Sequence, residues 1–80
     1  MGVYVIYLLS DPIKKLNKHS YMGYWIGKAE MRGNVMYPRT IPTRTRDVVT
    51  YLSLKHAQRE LRDIIDIHEP VVDGMIIKVA

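Results

Sequence analysis

Apolar positions along the chain fall into short runs and one longer stripe. Gly2-Val-Tyr-Val-Ile-Tyr-Leu-Leu9 is dense in β-branched, aromatic and leucine side chains. A run this short, apolar on both alternating faces, predicts a central strand. It should end at Ser10-Asp11-Pro12, because proline lacks the N–H that a central strand needs. Ser10 to Ser20 then reads as a basic connection with at most one or two helical turns. Ser10 or Asp11 would cap such a turn, Pro12 would open it, and Ile13 and Leu16 would share a face.

Tyr21 to Lys28 predicts a second strand. Gly23 and Gly27 are expected on the same face as Tyr21 and Trp25, and glycine inside a strand marks a bulge or a close approach. Met31-Arg-Gly-Asn34 has turn chemistry, so Val35-Met-Tyr37 should return as an antiparallel partner. Pro38 to Arg46 holds two prolines, three threonines and three arginines. Residues before proline favour extended geometry, which predicts an exposed arm. Arg46 to Leu52 fits a short helix or a turn, with Asp47 a candidate cap.

The clearest periodicity follows. Ser53 is a good N-cap. Leu54, Ala57, Leu61, Ile64 and Ile65 form one stripe at helical spacing, with Lys55, Arg59, Arg62, Asp63 and Asp66 facing outward. Arg59–Asp63 and Arg62–Asp66 are i,i+4 pairs of opposite charge. The helix should stop by His68-Glu69, ahead of Pro70. Asp73-Gly74 carries a turn signal, and Met75 to Val79 predicts the last strand, with Met75, Ile77 and Val79 on one side and Ile76 and Lys78 on the other.

The whole pattern predicts a single α+β domain over residues 1–80 in the order β-β-β-α-β. A mostly antiparallel sheet of about four strands would carry one helix, Leu54 to about Ile67, on one face. The expected core is Val3, Val5, Tyr7, Trp25, Ile26, Leu54, Ala57, Leu61, Ile64, Ile65, Ile77 and Val79.

Composition narrows the class. Hydrophobic residues at 48% and charged residues at 25% are ordinary for a folded globule. The absence of cysteine excludes disulfides, a thiol nucleophile and thiolate metal sites. No apolar run approaches the roughly 20 residues that span a bilayer. With no export signal, the expected location is the cytoplasm, and no membrane partner is expected. A chain of this length buries only roughly 60–65% of its unfolded surface, so a homodimer that shares part of the core is one solution open to it.

Charge is uneven: Met1 to Arg46 carries eight basic and two acidic residues, and Asp47 to Ala80 carries four and six. Such asymmetry can mark a polyanion-binding region. The candidate nucleic-acid-binding residues are Lys14, Lys15, Lys18, Arg39, Arg44 and Arg46. Lys28 lies among them, Tyr21, Tyr24 and Trp25 supply aromatic faces, and Thr40, Thr43 and Thr45 supply hydroxyls. Against this, basic loops also serve solubility, and neighbouring Tyr24 and Trp25 must point to opposite faces of a strand.

Catalytic chemistry has little to stand on. His19, His56 and His68 do not match metal-ligand spacing. His56–Glu60 reads as a solvated pair before it reads as a metal or acid–base site, and Asp63 and Asp66 read as a solvated face. No glycine-rich phosphate cradle and no nucleophile motif is found. The chain is therefore expected to be non-enzymatic, with no catalytic or metal residues and no cofactor. Five methionines and seven tyrosine or tryptophan residues are adaptable contact material. They make an unidentified protein the expected partner and nucleic acid the alternative.

The run Tyr24-Trp-Ile-Gly27, the hairpin turn after it, Thr45-Arg-Asp-x-x-x-Tyr-Leu-Ser53, Ala57 and Leu61 in the helix, and the closing strand form a layout. It resembles the small uncharacterised open reading frames of tailed bacteriophages. That resemblance covers most of the chain in outline. It implies an accessory or host-interacting protein in the cytoplasm of an infected bacterium and carries over no site residues.

Overall fold

The computed structural model describes the backbone of residues 2–13 and 18–80, and the side chains of residues 2–10 and 20–80. The first apolar run forms β1 (Tyr4–Ile13). It is followed by β2 (Lys18–Arg32), β3 (Val35–Ile41), α1 (Leu54–Ile67) and β4 (Val71–Lys78). The sheet order is β3-β2-β1-β4, and every neighbouring pair is antiparallel. This is the expected α+β architecture with one helix, and β1 is central as its two apolar faces require.

All four strands run further than the sequence suggests, β2 spanning Lys18–Arg32 against the expected Tyr21 to Lys28. β1 continues through Pro12, which lies opposite His19. Two register shifts between Leu8 and Pro12 loosen the ladder there, and bulged positions tolerate proline. Much of the expected Ser10–Ser20 loop is therefore hairpin. β3 takes in Pro38, opposite Ala29; it is an edge strand, where a missing N–H breaks no inner ladder. The exposed arm thus begins at Pro42 rather than Pro38. β4 runs unbroken through Asp73-Gly74, so this pair is not a turn. A Cβ on Gly74 would stand 2.6 Å from Leu61 Cδ1 and 3.1 Å from the Tyr7 carbonyl oxygen. This glycine marks a close approach of the helix to the sheet.

Gly33 and Asn34 form the two-residue turn between β2 and β3. Gly33 has φ +63°, a left-handed conformation open to glycine. Of the two expected forms for Arg46 to Leu52, the structure shows a turn at Arg46-Asp47, closed by the Val48 N–H donating to the Thr45 carbonyl at 3.2 Å, and no helix. Tyr51 exchanges two 2.8 Å backbone hydrogen bonds with Tyr4, and the Val49 N–H donates to the Trp25 carbonyl. The segment thereby fills the space where β2 leaves β1, and it buries Val48 and Tyr51.

α1 begins and ends where its caps place it. Ser53 Oγ accepts from the His56 N–H, and the His68 N–H donates to the Ile64 carbonyl. The core holds Ile6 and Leu8 from β1, Tyr51, Ala57 and Ile64 from the helix, and Val71, with Leu61, Ile65, Trp25 and Ile76 packed around them. The expected core is half right in β1: Val5 is buried as expected, but Ile6 and Leu8, which it left out, are wholly buried. Even-numbered Ile6 and Leu8 meet the helix, while Tyr7 does not. Leu54, expected inside, is 44% exposed at the first turn. Among the described residues, neither Arg59–Asp63 nor Arg62–Asp66 forms an ion pair.

Candidate interaction surface

Residues directly opposite in an antiparallel ladder project from the same face of a sheet. Ile6 with Ile76, and Leu8 with Gly23 and Gly74, therefore lie under the helix. The other face carries Val5 with Ile77; Tyr7 with Tyr24, Met75 and, through Tyr24, Ile41; and Leu9 with Tyr21 and Asp73. The Tyr7 ring meets Tyr24 edge-on at 4.9 Å and Tyr21 at 6.1 Å. Val5 and Leu9 form a buried floor, from which Tyr21, 70% exposed, and Met75, 42% exposed, stand up. Asp73 is the one charged side chain at these paired positions. Among the described residues, no helix or second sheet layer covers this face.

Simple alternation would have put Tyr21 with Gly23 and Trp25. The ladder instead steps from Leu8–Gly23 to Leu9–Tyr21, leaving Met22 as the extra residue. This bulge turns Tyr21 to the same side as Tyr7 and Tyr24. Gly23 sustains it with φ +129°; a Cβ there would lie 2.7 Å from the Ile41 carbonyl oxygen. No sequence motif announces the resulting tyrosine cluster. The pairing partner of Tyr7 was the missing piece.

Trp25 faces the other way, as expected from its neighbour Tyr24. Its ring meets His68 edge-on at 5.5 Å, so it is committed to the interior. His68 is 4% exposed. Its Nδ1 lies 2.8 Å from the Ile64 carbonyl oxygen, and its Nε2 is buried without a partner. Tyr51 packs edge-on against His56 at 5.2 Å. Burial pushes its hydroxyl up to about 12; the Glu60 carboxylate adds to the rise and the Trp25 indole opposes it. The His56–Glu60 pair is exposed on both sides at 3.9 Å, the geometry of a solvated pair.

The candidate cations are dispersed. Lys14 and Lys15 lie outside the described residues, and Lys18 opens β2. Arg39, on β3, borders a cavity of about 210 Å³ with Ile26, Lys28 and Asp47. Arg44 and Arg46 are exposed in the loop after β3. Arg32 is engaged elsewhere: it contacts Glu30 at 2.8 Å and lies 4.6 Å over the Tyr37 ring. A second cavity of about 210 Å³, on the outer side of α1, is bordered by Lys55, Gln58, Arg59 and Arg62. This cationic edge was hidden because the i,i+4 rule assigned its arginines to aspartates. Among the described residues, no group of three or more metal-ligating side chains converges, and no helix is long and apolar enough to cross a membrane. Compared with known proteins, the chain matches no family model, no curated protein and no solved structure.

Proposed function

We propose that this chain is a small, non-enzymatic protein-binding module, an accessory protein of the bacteriophage kind acting in the cytoplasm of its host. The observation that carries the reading is the uncovered sheet face. Tyrosine and methionine are the side chains that protein interfaces enrich, and lysine and glutamate, which interfaces deplete, are missing from the Val5, Tyr7 and Leu9 rows among the described side chains. Two exposed knobs over a buried floor suit insertion into a partner's pockets.

The test is site-specific photo-crosslinking. A benzophenone side chain at position 21 should yield protein adducts in extract of the producing cell, whereas one at position 59, on the outer side of α1, should not. Absence of any protein adduct at position 21 overturns the reading.

Nucleic-acid binding is the second reading. It is supported by Arg39, Arg44 and Arg46, which are exposed and form no ion pair among the described residues. The stacking component is weaker than the sequence suggests, because Trp25 is half-buried against His68 and the paired positions of the tyrosine cluster carry no cation among the described side chains. Labelled single- and double-stranded nucleic acid titrated at two salt concentrations decides it. Salt-sensitive binding that weakens in Arg44→Ala/Arg46→Ala would replace the protein-binding reading.

A further inference from the structure

We infer that the cavity bordered by β2, β3 and the loop after β3 is a binding site for a small zwitterion carrying two negative charges and one ammonium group. The inference goes beyond the protein-binding reading above and does not depend on it.

The backbone builds this cavity. β2 and β3 pair at Trp25–Thr40 and again at Ala29–Pro38. Between these pairs β2 has Ile26, Gly27 and Lys28, where β3 has Arg39 alone. Such a bulge bends its strand and re-aims the side chains, and bulges gather beside functional sites. Gly27 permits it with φ +78°, and a Cβ there would lie 2.9 Å from Val49 Cγ2. The loop that supplies the remaining wall is anchored as well. Val48 is buried, its N–H donates to the Thr45 carbonyl at 3.2 Å, and the Val49 N–H donates to the Trp25 carbonyl at 3.1 Å. The Asp47 N–H donates to Thr45 Oγ1 at 3.2 Å, which leaves the carboxylate of Asp47 out of that turn.

Ile26, Lys28, Arg39 and Asp47 line about 210 Å³. Two cations and a carboxylate thus share one hollow, yet among the described residues none of the three forms an ion pair. Their donors and acceptors are left to a ligand. Arginine offers parallel N–H bonds to a carboxylate or phosphate, and lysine adds a point charge. Asp47 repels a simple anion but accepts hydrogen bonds from an ammonium group. The lining charges sum to +1, two cations less one carboxylate. Their complement is two negative charges and one ammonium, net −1, with Ile26 against the linking carbons. The volume falls below the roughly 300–1,000 Å³ of drug-sized sites. That sets the ligand at the size of an acidic amino acid or an aminoalkyl phosphate.

Neighbouring charges leave this balance in place. Glu30 is engaged by Arg32 at 2.8 Å. Arg44 and Arg46 are exposed in the same loop but do not border the cavity, and their field attracts a ligand of net negative charge. Lys18 opens β2, about 30 Å along the strand from Lys28. The cavity outside α1 is lined by Lys55, Gln58, Arg59 and Arg62 and offers an ammonium no carboxylate.

Amide NMR titrations at low ionic strength test the inference, at about pH 7.5, where a phosphate monoester is close to dianionic. Two pairs of probes differ only in the ammonium: L-aspartate against succinate, and O-phosphoethanolamine against ethyl phosphate. At least one zwitterion should shift the Gly27, Lys28, Arg39 and Asp47 signals saturably and bind roughly tenfold tighter than its ammonium-free counterpart. Which one does so tells a carboxylate ligand from a phosphate ligand. Lys28→Ala/Arg39→Ala should weaken that binding by roughly tenfold or more, and Asp47→Asn should erase the preference for the ammonium. All three side chains are exposed, so circular dichroism spectra should match the parent. No saturable shift at these residues with either zwitterion overturns the inference. Equal affinity within both pairs overturns it too, as does an Asp47→Asn chain that keeps the preference. Shifts of equal size around Lys55, Arg59 and Arg62 would reduce the effect to general attraction of anions to a basic chain, and would also overturn it.

Discussion

The two faces of the sheet are built from similar residues and meet opposite fates. Under the helix, Ile6 and Leu8 are wholly buried against Ala57, Ile64 and Val71. On the other side, Tyr7 and Tyr24 touch each other and leave Tyr21 and Met75 in solvent. Among the described residues there is one helix, used once, so the four-stranded sheet of this 80-residue chain has a helix on one face and none on the other. Stability and recognition are thereby divided between the faces, and each substitution below asks whether that division holds.

The largest effect should come from the covered face. Leu8→Ala removes a wholly buried side chain beneath α1 and should cost roughly 2–5 kcal/mol. Met75→Ala, on β4 and pointing away from the helix, should cost less than about 1 kcal/mol in the monomer, as exposed substitutions do. Urea denaturation of both at low micromolar concentration makes the comparison. Equal losses would mean that the open face is as much a part of the monomer's core as the covered one.

Tyr51 gives a pH test of the covered side. Its hydroxyl ionises near 10 in the unfolded chain and at about 12 in the folded one. The folded state therefore holds the proton more tightly. The stability this confers is complete below pH 10 and is lost as pH rises from 10 to 12. Allowing for solvent screening, the loss should be on the order of 2 kcal/mol. Tyr51→Phe should flatten that part of the stability–pH curve. An unchanged slope in Tyr51→Phe would assign the alkaline loss to other groups.

Much of this arrangement was readable from residues alone. The helix limits followed from Ser53 and Pro70, and the strand order of types followed from the runs between turns. Which face of β1 the helix would take was not readable, because Val5, Ile6, Tyr7 and Leu8 are all apolar and alternation is silent when both sides look alike. The tyrosine cluster was hidden for a related reason. One extra residue, Met22, shifts Tyr21 across the sheet, and a bulge is invisible until the pairing partner is known. Asp73-Gly74 misled through chemistry that fits a turn, when the glycine in fact makes room for Leu61 across the layer.

Gly74→Ala tests that last point and should cost roughly 1–3 kcal/mol, the range for overpacking a filled site. The new methyl would meet Leu61 Cδ1, which can swing aside, and the Tyr7 carbonyl, which cannot without moving β1. Pairing the change with Leu61→Ala should recover part of the loss in thermal melting. No recovery would place the clash on the backbone alone.

The smallest effect concerns the helix entrance. Ser53 Oγ accepts from the His56 N–H at 3.3 Å, and α1 has no acidic residue in its first turn and no basic residue in its last. The positive end of the helix dipole is therefore met by this cap and by no nearby carboxylate in that turn. Ser53→Ala should cost about 1 kcal/mol. Ser53→Asp keeps an accepting oxygen and adds a negative charge, so it should match or exceed the parent by about 0.3–1 kcal/mol at low salt. Neither change touches the uncovered face, so the yield of protein adducts from a benzophenone at position 21 should stay within twofold of the parent in both. If that yield instead falls with helix stability, the two faces act as one cooperative unit, and the division of labour between them does not hold.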